Sequence, residues 1–173
     1  MKVLCLHDPR WAELFAAEAQ SLRRCLGSTA LQVQHIGGTA IPETLTKPII
    51  DIVVEVTSLD ALDVRVPVLE RIGYEARGEH GVPGRRYFKK RATDAGVGFH
   101  VHSFAGGSEY IVRHIQFRNF LLLEPGIAKE YSALKLSLTS PEGVLVDDYV
   151  ERKSEFVRRV LRLAEERFLG GIE

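Results

Sequence analysis

The stretch from Leu31 to Val56 constrains this chain more than any other, because it reads as strand, glycine turn, short connector and strand. Leu31 to Ile36 alternates apolar and polar residues, and Gly37-Gly38 ends the run. After Lys47-Pro48 comes Ile49-Ile50-Asp51-Ile52-Val53-Val54-Glu55-Val56, a strand with two unlike faces. Ile50, Ile52, Val54 and Val56 make one unbroken apolar face, and Ile49, Asp51, Val53 and Glu55 lie on the other. A carboxylate centred in such a strand is costly to bury unpaired, which makes Asp51 the first candidate for a metal ligand or catalytic group. Paired glycines let backbone N–H groups approach an oxyanion closely, and Thr39 offers a hydroxyl donor beside them. The competing reading is an ordinary turn followed by an edge aspartate.

A chain of 173 residues fits a single domain over 1–173 and can bury about 70% of its unfolded surface. Lys plus Arg and Asp plus Glu balance at 23 each, so no overall field favours nucleic acid or anionic lipid. Phosphate recognition, if present, must be local. The apolar start before His7 is too short for a signal peptide, and no run approaches the ~20 apolar residues of a membrane span, so a cytoplasmic protein is expected. Cys5 and Cys25 read as reduced packing residues.

Asp8-Pro9 opens a helix whose stripe is Trp11, Leu14, Phe15, Leu22, Cys25 and Leu26, and Gly27 stops it. Ser58 to Ile72 is helical, capped by Ser58 and weakened by Pro67. Three further strands are expected at Tyr74–Arg77, Arg85–Arg91 and Gly98–Ala105, with turns at Gly78–Gly84 and Thr93–Gly96 that favour antiparallel pairing. The result is an α+β fold with a mixed or antiparallel sheet, helices over one face and a helical C-terminal part.

His100, His102 and Phe104 share one face of the last strand. If that strand joins the sheet of Asp51, imidazoles and carboxylates gather on the sheet's uncovered face. A neutral imidazole binds a borderline metal and a charged one binds phosphate, while the plain alternative is a pair of hydrogen-bonding residues. The helix after Gly106-Gly107-Ser108 is apolar nearly all round, so Arg113 and Arg118 are expected to be embedded and to need anionic partners. Lys135 lies at the edge of the next helix's stripe, one turn from Tyr131. After a break at Pro141, a last helix from about Asp147 to Leu169 carries Lys153 within its apolar face. Snorkelling would explain Lys153, and an anionic ligand would explain all four cations.

The chain resembles the GrpB-like family, which belongs by fold to the nucleotidyltransferase superfamily. The likeness runs through Asp8-Pro9 with Trp11, His35-Ile36-Gly37-Gly38-Thr39-Ala40-Ile41-Pro42, Lys47-Pro48-Ile49-Ile50-Asp51-Ile52, Arg86-Tyr87-Phe88, Phe99-His100-Val101-His102, Phe117-Arg118-Asn119-Phe120-Leu121, Tyr131 with Lys135, and Tyr149 with Lys153. It implies a nucleotidyltransferase-like fold that binds a nucleotide or other phosphorylated small molecule, with Gly37, Gly38, Thr39, Lys47, Arg113, Arg118, Lys135 and Lys153 around phosphate. It implies one divalent cation, magnesium or manganese ahead of zinc, on Asp51, His100 and His102, the same residues being the catalytic candidates. The superfamily's second carboxylate position is Val53 here, and Glu55 stands about 13 Å farther along the strand than Asp51. Gln34 replaces an acidic residue, and Gly38 stands where Ser is common.

Related domains are joined to dephospho-coenzyme A kinase, so a non-catalytic accessory or ligand-sensing module, with a possible protein partner, is the alternative. No G-x-x-x-x-G-K-[ST] motif is present, and no kinase activity is expected. Hydrolysis of a phosphate ester, with the histidines as acid and base, is a third option.

Overall fold

A computed structural model describes residues 4–92, 96–140 and 148–169. The expected turn from Thr93, the break at Pro141 and the helix start at Asp147 lie outside these residues. Its strands are β1 (Ala30–Ile36), β2 (Ile49–Val56), β3 (Tyr74–Ala76), β4 (Arg86–Lys90) and β5 (Gly98–Ala105). They form one five-stranded sheet in the order β1-β2-β5-β4-β3. Only β2 and β5 run parallel; the other pairs are antiparallel. This is the expected α+β class with a mixed sheet. β3, β4 and β5 pair as an antiparallel meander, and β3 and β4 lie in the sequence between β2 and its parallel neighbour β5.

The helices are α1 (Arg10–Leu26), α2 (Leu59–Asp63), α3 (Val66–Arg71), α4 (Glu109–Leu123), α5 (Pro125–Ser137) and α6 (Tyr149–Leu169). Asp8 Oδ1 accepts from the Arg10 N–H at 2.9 Å, and Gly27 ends α1 at φ +56°. The expected helix over 58–72 is two helices. Ser58 Oγ caps α2 through the Ala61 N–H at 3.1 Å, and Pro67 opens α3 at its first turn, where its missing N–H costs nothing.

One face of the sheet carries the main core. Ile50, Ile52, Val54 and Val56 of β2 pack with Phe99 and Val101 of β5 under Trp11, Leu22 and Leu26 of α1 and Leu62 and Leu69 of α2 and α3. The other face is not left uncovered, as the sequence reading had it. Ile111 of α4 packs on Ile36, Val53 and Phe104 and closes that face at one end. From there Phe117, Phe120 and Leu121 join a helical cluster with Tyr131 of α5 and Phe156 and Val160 of α6. Arg113 is correspondingly exposed rather than embedded, beside Val112. The apolar ring of α4 exceeds what the fold covers, and Val112, Leu122 and Leu123 remain at the surface. Among the described residues no helix is long and apolar enough to cross a membrane.

Candidate functional site

Asp51 is the hub of the site. The strand register sets it beside Ile36 on β1 and His100 on β5, with Val53 beside His102 two residues on. Asp51 Oδ1 lies 3.4 Å from His100 Nδ1 and 3.7 Å from His102 Nε2. Burial alone would raise the Asp51 carboxyl, but the two imidazoles outweigh it and hold it well below the ordinary carboxylate range. On its other side the carboxylate meets the glycine turn. A Cβ on Gly37 would fall 2.5 Å from Asp51 Oδ2, and Gly37 itself stands at φ +73°, so only glycine fits.

The turn is stapled by the connector that follows it. Thr44 Oγ1 donates to the Gly38 and Ile41 carbonyls at 2.9 Å each. Leu45 N–H donates to Ser132 Oγ of α5 at 3.0 Å. Ser132 and Lys135 share a helix face, so the bond that docks α5 also sets Lys135 against the turn. Its Nζ lies 3.3 Å from where a Gly38 Cβ would be. The Thr46 hydroxyl fills the same space, 2.4 Å from that point. Ser, common at this position in the family resemblance, therefore has no room here.

Lys135 is 5% exposed and its ammonium has no hydrogen-bond partner among the described residues. It sits 4.3 Å from the centre of the Tyr131 ring. Burial lowers it to about 7, with Lys153 pushing the same way and Asp51 opposing. Lys153 is moved up instead, by Tyr131 first and then, against its burial, by Tyr149 and Asp51. Lys153 is half-buried and feels the Tyr131, Tyr149 and Asp51 groups together.

Other expected groups are spent elsewhere. Arg118 donates from Nη1 to the His35 carbonyl at 2.8 Å and to Gln34 Oε1 at 3.3 Å, and binds Asn119 Oδ1 through Nε and Nη2. It clamps β1 to α4. Thr39 is 1% exposed, and its hydroxyl pairs with His35 Nε2 at 2.9 Å inside the protein rather than facing a ligand. Burial lowers His35, stacked on Phe15, to about 4. Glu55 accepts from the Gly107 N–H at 3.1 Å and takes no part in the site. Lys47 is half-buried on the connector, and neither it nor Arg113 makes a side-chain hydrogen bond or ion pair among the described residues.

The structure adds groups that the sequence reading left out. Tyr87 of β4 lies opposite His102 in register, its ring centre 5.0 Å from that of His102 and 5.5 Å from that of His100. Arg85 reaches His102 Nδ1 at 3.3 Å. His114 of α4 lies 5.5 Å from the His102 ring and is lowered by burial to about 4. A signal for it existed, because His114 precedes Arg118 by one helical turn on the face already singled out.

Arg85 can only donate, so His102 Nδ1 accepts, and Nε2 carries the proton toward Asp51. Both nitrogens of His102 are engaged. Among the described residues no group of three or more His, Cys, Asp and Glu is placed to hold a metal ion. A cation held by Asp51 and His102 would have to displace the Nε2 proton.

A crystal structure of conserved protein GrpB from Enterococcus faecalis is 36% identical and covers 96% of this chain and 99% of its own, at a TM-score of 0.85. The UPF0157 protein YqkA of Bacillus subtilis is 36% identical over 155 residues, which are 90% of this chain and 45% of YqkA, so this chain spans less than half of that relative. A dephospho-CoA kinase of Mycolicibacterium paratuberculosis is 28% identical over 181 residues, with 91% of this chain and 44% of the kinase aligned. The Cid1 poly(U) polymerase superposes at a TM-score of 0.49 and 16% identity, which fixes no chemistry for this chain. The family model described as GrpB protein matches residues 3–163, a span that takes in Gly37, Asp51, both sheet histidines, Lys135 and Lys153, and the chain therefore belongs to the GrpB family.

Proposed function

We propose that this chain binds a phosphorylated small molecule, a nucleotide foremost, between the Gly37-Gly38 turn, Asp51 and the two lysines of α5 and α6. The observation that carries this is Lys135, an ammonium buried without a partner against the backbone of Gly38. Natural chains keep such a group where a ligand completes it, because an unpaired buried cation costs stability. Lys153 adds a second positive charge within reach of Asp51. A divalent ion enters this reading as a companion of the ligand's phosphates rather than as a resident of the protein. Nucleotidyl transfer is the reaction class the family resemblance suggests, although Val53 stands at the second carboxylate position that reaction uses.

The test is a thermal-shift panel of nucleoside triphosphates, coenzyme A precursors and sugar phosphates, each with and without magnesium. A ligand at a hundred times its Kd stabilises by about 2.7 kcal/mol, a rise of roughly 5–10 °C for a chain of this size. The rise should vanish in Lys135→Met while that variant melts cooperatively. No rise with any ligand would overturn the proposal.

The likeness to part of a dephospho-CoA kinase favours a second reading, a non-catalytic module that accompanies such an enzyme. It predicts that coenzyme A precursors, and not nucleoside triphosphates, give the shift, or that a kinase partner co-elutes with the chain.

A further inference from the structure

The two histidines beside Asp51 have unequal jobs. Arg85 takes the Nδ1 lone pair of His102, so that ring already holds its proton on Nε2 and has no free lone pair. His100 is placed the other way round. Its Nδ1 faces the Asp51 carboxylate at 3.4 Å, which keeps the proton there, and among the described residues its Nε2 takes no hydrogen bond. Its side chain is 25% exposed, so the free nitrogen has water within reach. The Tyr87 ring meets the imidazole edge-on and fixes its plane. A carboxylate that orients a base whose second nitrogen is free is an arrangement for taking a proton from water.

Asp51 also joins this pair to the proposed phosphate cradle, since its other oxygen lies against Gly37 while Lys135 lies against Gly38. Resting on the phosphate-binding reading, we propose that the chain hydrolyses a phosphoanhydride, with His100 as general base. Water loses a proton to His100 Nε2 as its oxygen bonds to the terminal phosphorus. The bridging P–O bond breaks, and its electron pair leaves on the oxygen of the shortened phosphate chain. That leaving group is a weak base and needs no acid, so the lysines supply charge alone. His100 then returns its proton to solvent. The products are orthophosphate and the diphosphate or monophosphate left behind. Arg85 and His102 are positioning residues in this step, holding Asp51 and the ring beside it.

The experiment measures orthophosphate release from ATP, GTP and pyrophosphate by the purified chain, in EDTA and in magnesium, alongside the thermal shift with each probe. The expected result is turnover by the wild type and a loss of about 100-fold or more in His100→Ala. The ligand-induced shift should survive in that variant, and millimolar imidazole should restore part of the rate. His100→Gln, which keeps the size and loses the base, should be as slow but not rescued. A ligand-induced shift without orthophosphate release, or His100→Ala at the wild-type rate, overturns the hydrolysis and leaves the binding reading standing. No shift and no release with these probes overturns the hydrolysis, and the binding reading falls with it if the coenzyme A precursors and sugar phosphates also give no shift.

Discussion

Burial weakens the hold of Lys135 on its proton, and the cost has a measurable sign. The unfolded lysine holds its proton to about 10.5 and the folded one only to about 7. Between those values the unfolded state binds more protons, so stability rises with pH. From pH 7 to 9 the rise from this group is about 2 kcal/mol. Lys135→Met should flatten that part of the pH profile in urea denaturation and leave stability at pH 7 equal to or about 1–3 kcal/mol above the wild type. Gly37→Ala acts in the opposite sense. Its Cβ meets the Asp51 carboxylate in a backbone conformation alanine resists, and a loss of about 1–3 kcal/mol is expected from the urea midpoint.

Residue by residue, the sequence showed Asp51, His100 and His102 because a strand alternates strictly, so a polar residue on an apolar strand declares its face. Lys135 and Lys153 were visible as charges on apolar stripes. Arg113 was misplaced because a helix that is apolar all round does not reveal which sector meets solvent. Arg85 and Tyr87 lie in a strand that was expected, but only the pairing of β4 with β5 brings them to the histidines.

At the scale of elements, α1 is tied to the far strands by one polar cluster. Glu18 accepts from Tyr74 Oη at 2.9 Å and from Lys90 Nζ at 3.0 and 3.1 Å. The carboxylate and phenol are buried, so removing Glu18 strands a hydroxyl and an ammonium in an apolar setting. Glu18→Ala should cost about 3 kcal/mol in denaturant unfolding, and adding Lys90→Met and Tyr74→Phe should recover part of it. Ser58→Ala, which removes the α2 cap, should cost about 1 kcal/mol. These elements followed closely from capping residues, prolines and glycines. The coverage of the second sheet face did not, because it depends on the angle at which α4 leaves β5, which no local pattern encodes.

Over the whole molecule, acid sensitivity comes from imidazoles rather than carboxylates alone. His35 and His114 are half-buried and neutral, lowered by desolvation to about 4. The unfolded chain takes up protons at both below about 6.5, where the folded chain does not, so stability falls between pH 6.5 and 4. Each contributes up to about 3 kcal/mol at the lower end. His114→Phe should lessen the slope over that window in a series of urea melts, and an unchanged slope would mean the ring is hydrated. The parallel pairing of β2 with β5 has a kinetic consequence as well. Its strands are separated in sequence by α2, α3, β3 and β4, and α5 is docked by a bond between Leu45 and Ser132, which are 87 residues apart, so the loop-closure entropy of both contacts slows folding. Gly38, Asp51, His100 and Lys135 come from the turn after β1, from β2, from β5 and from α5. A molecule held by Gly38, Asp51 and Lys135 would act as a clasp across these long-range contacts and slow the opening of the finished protein.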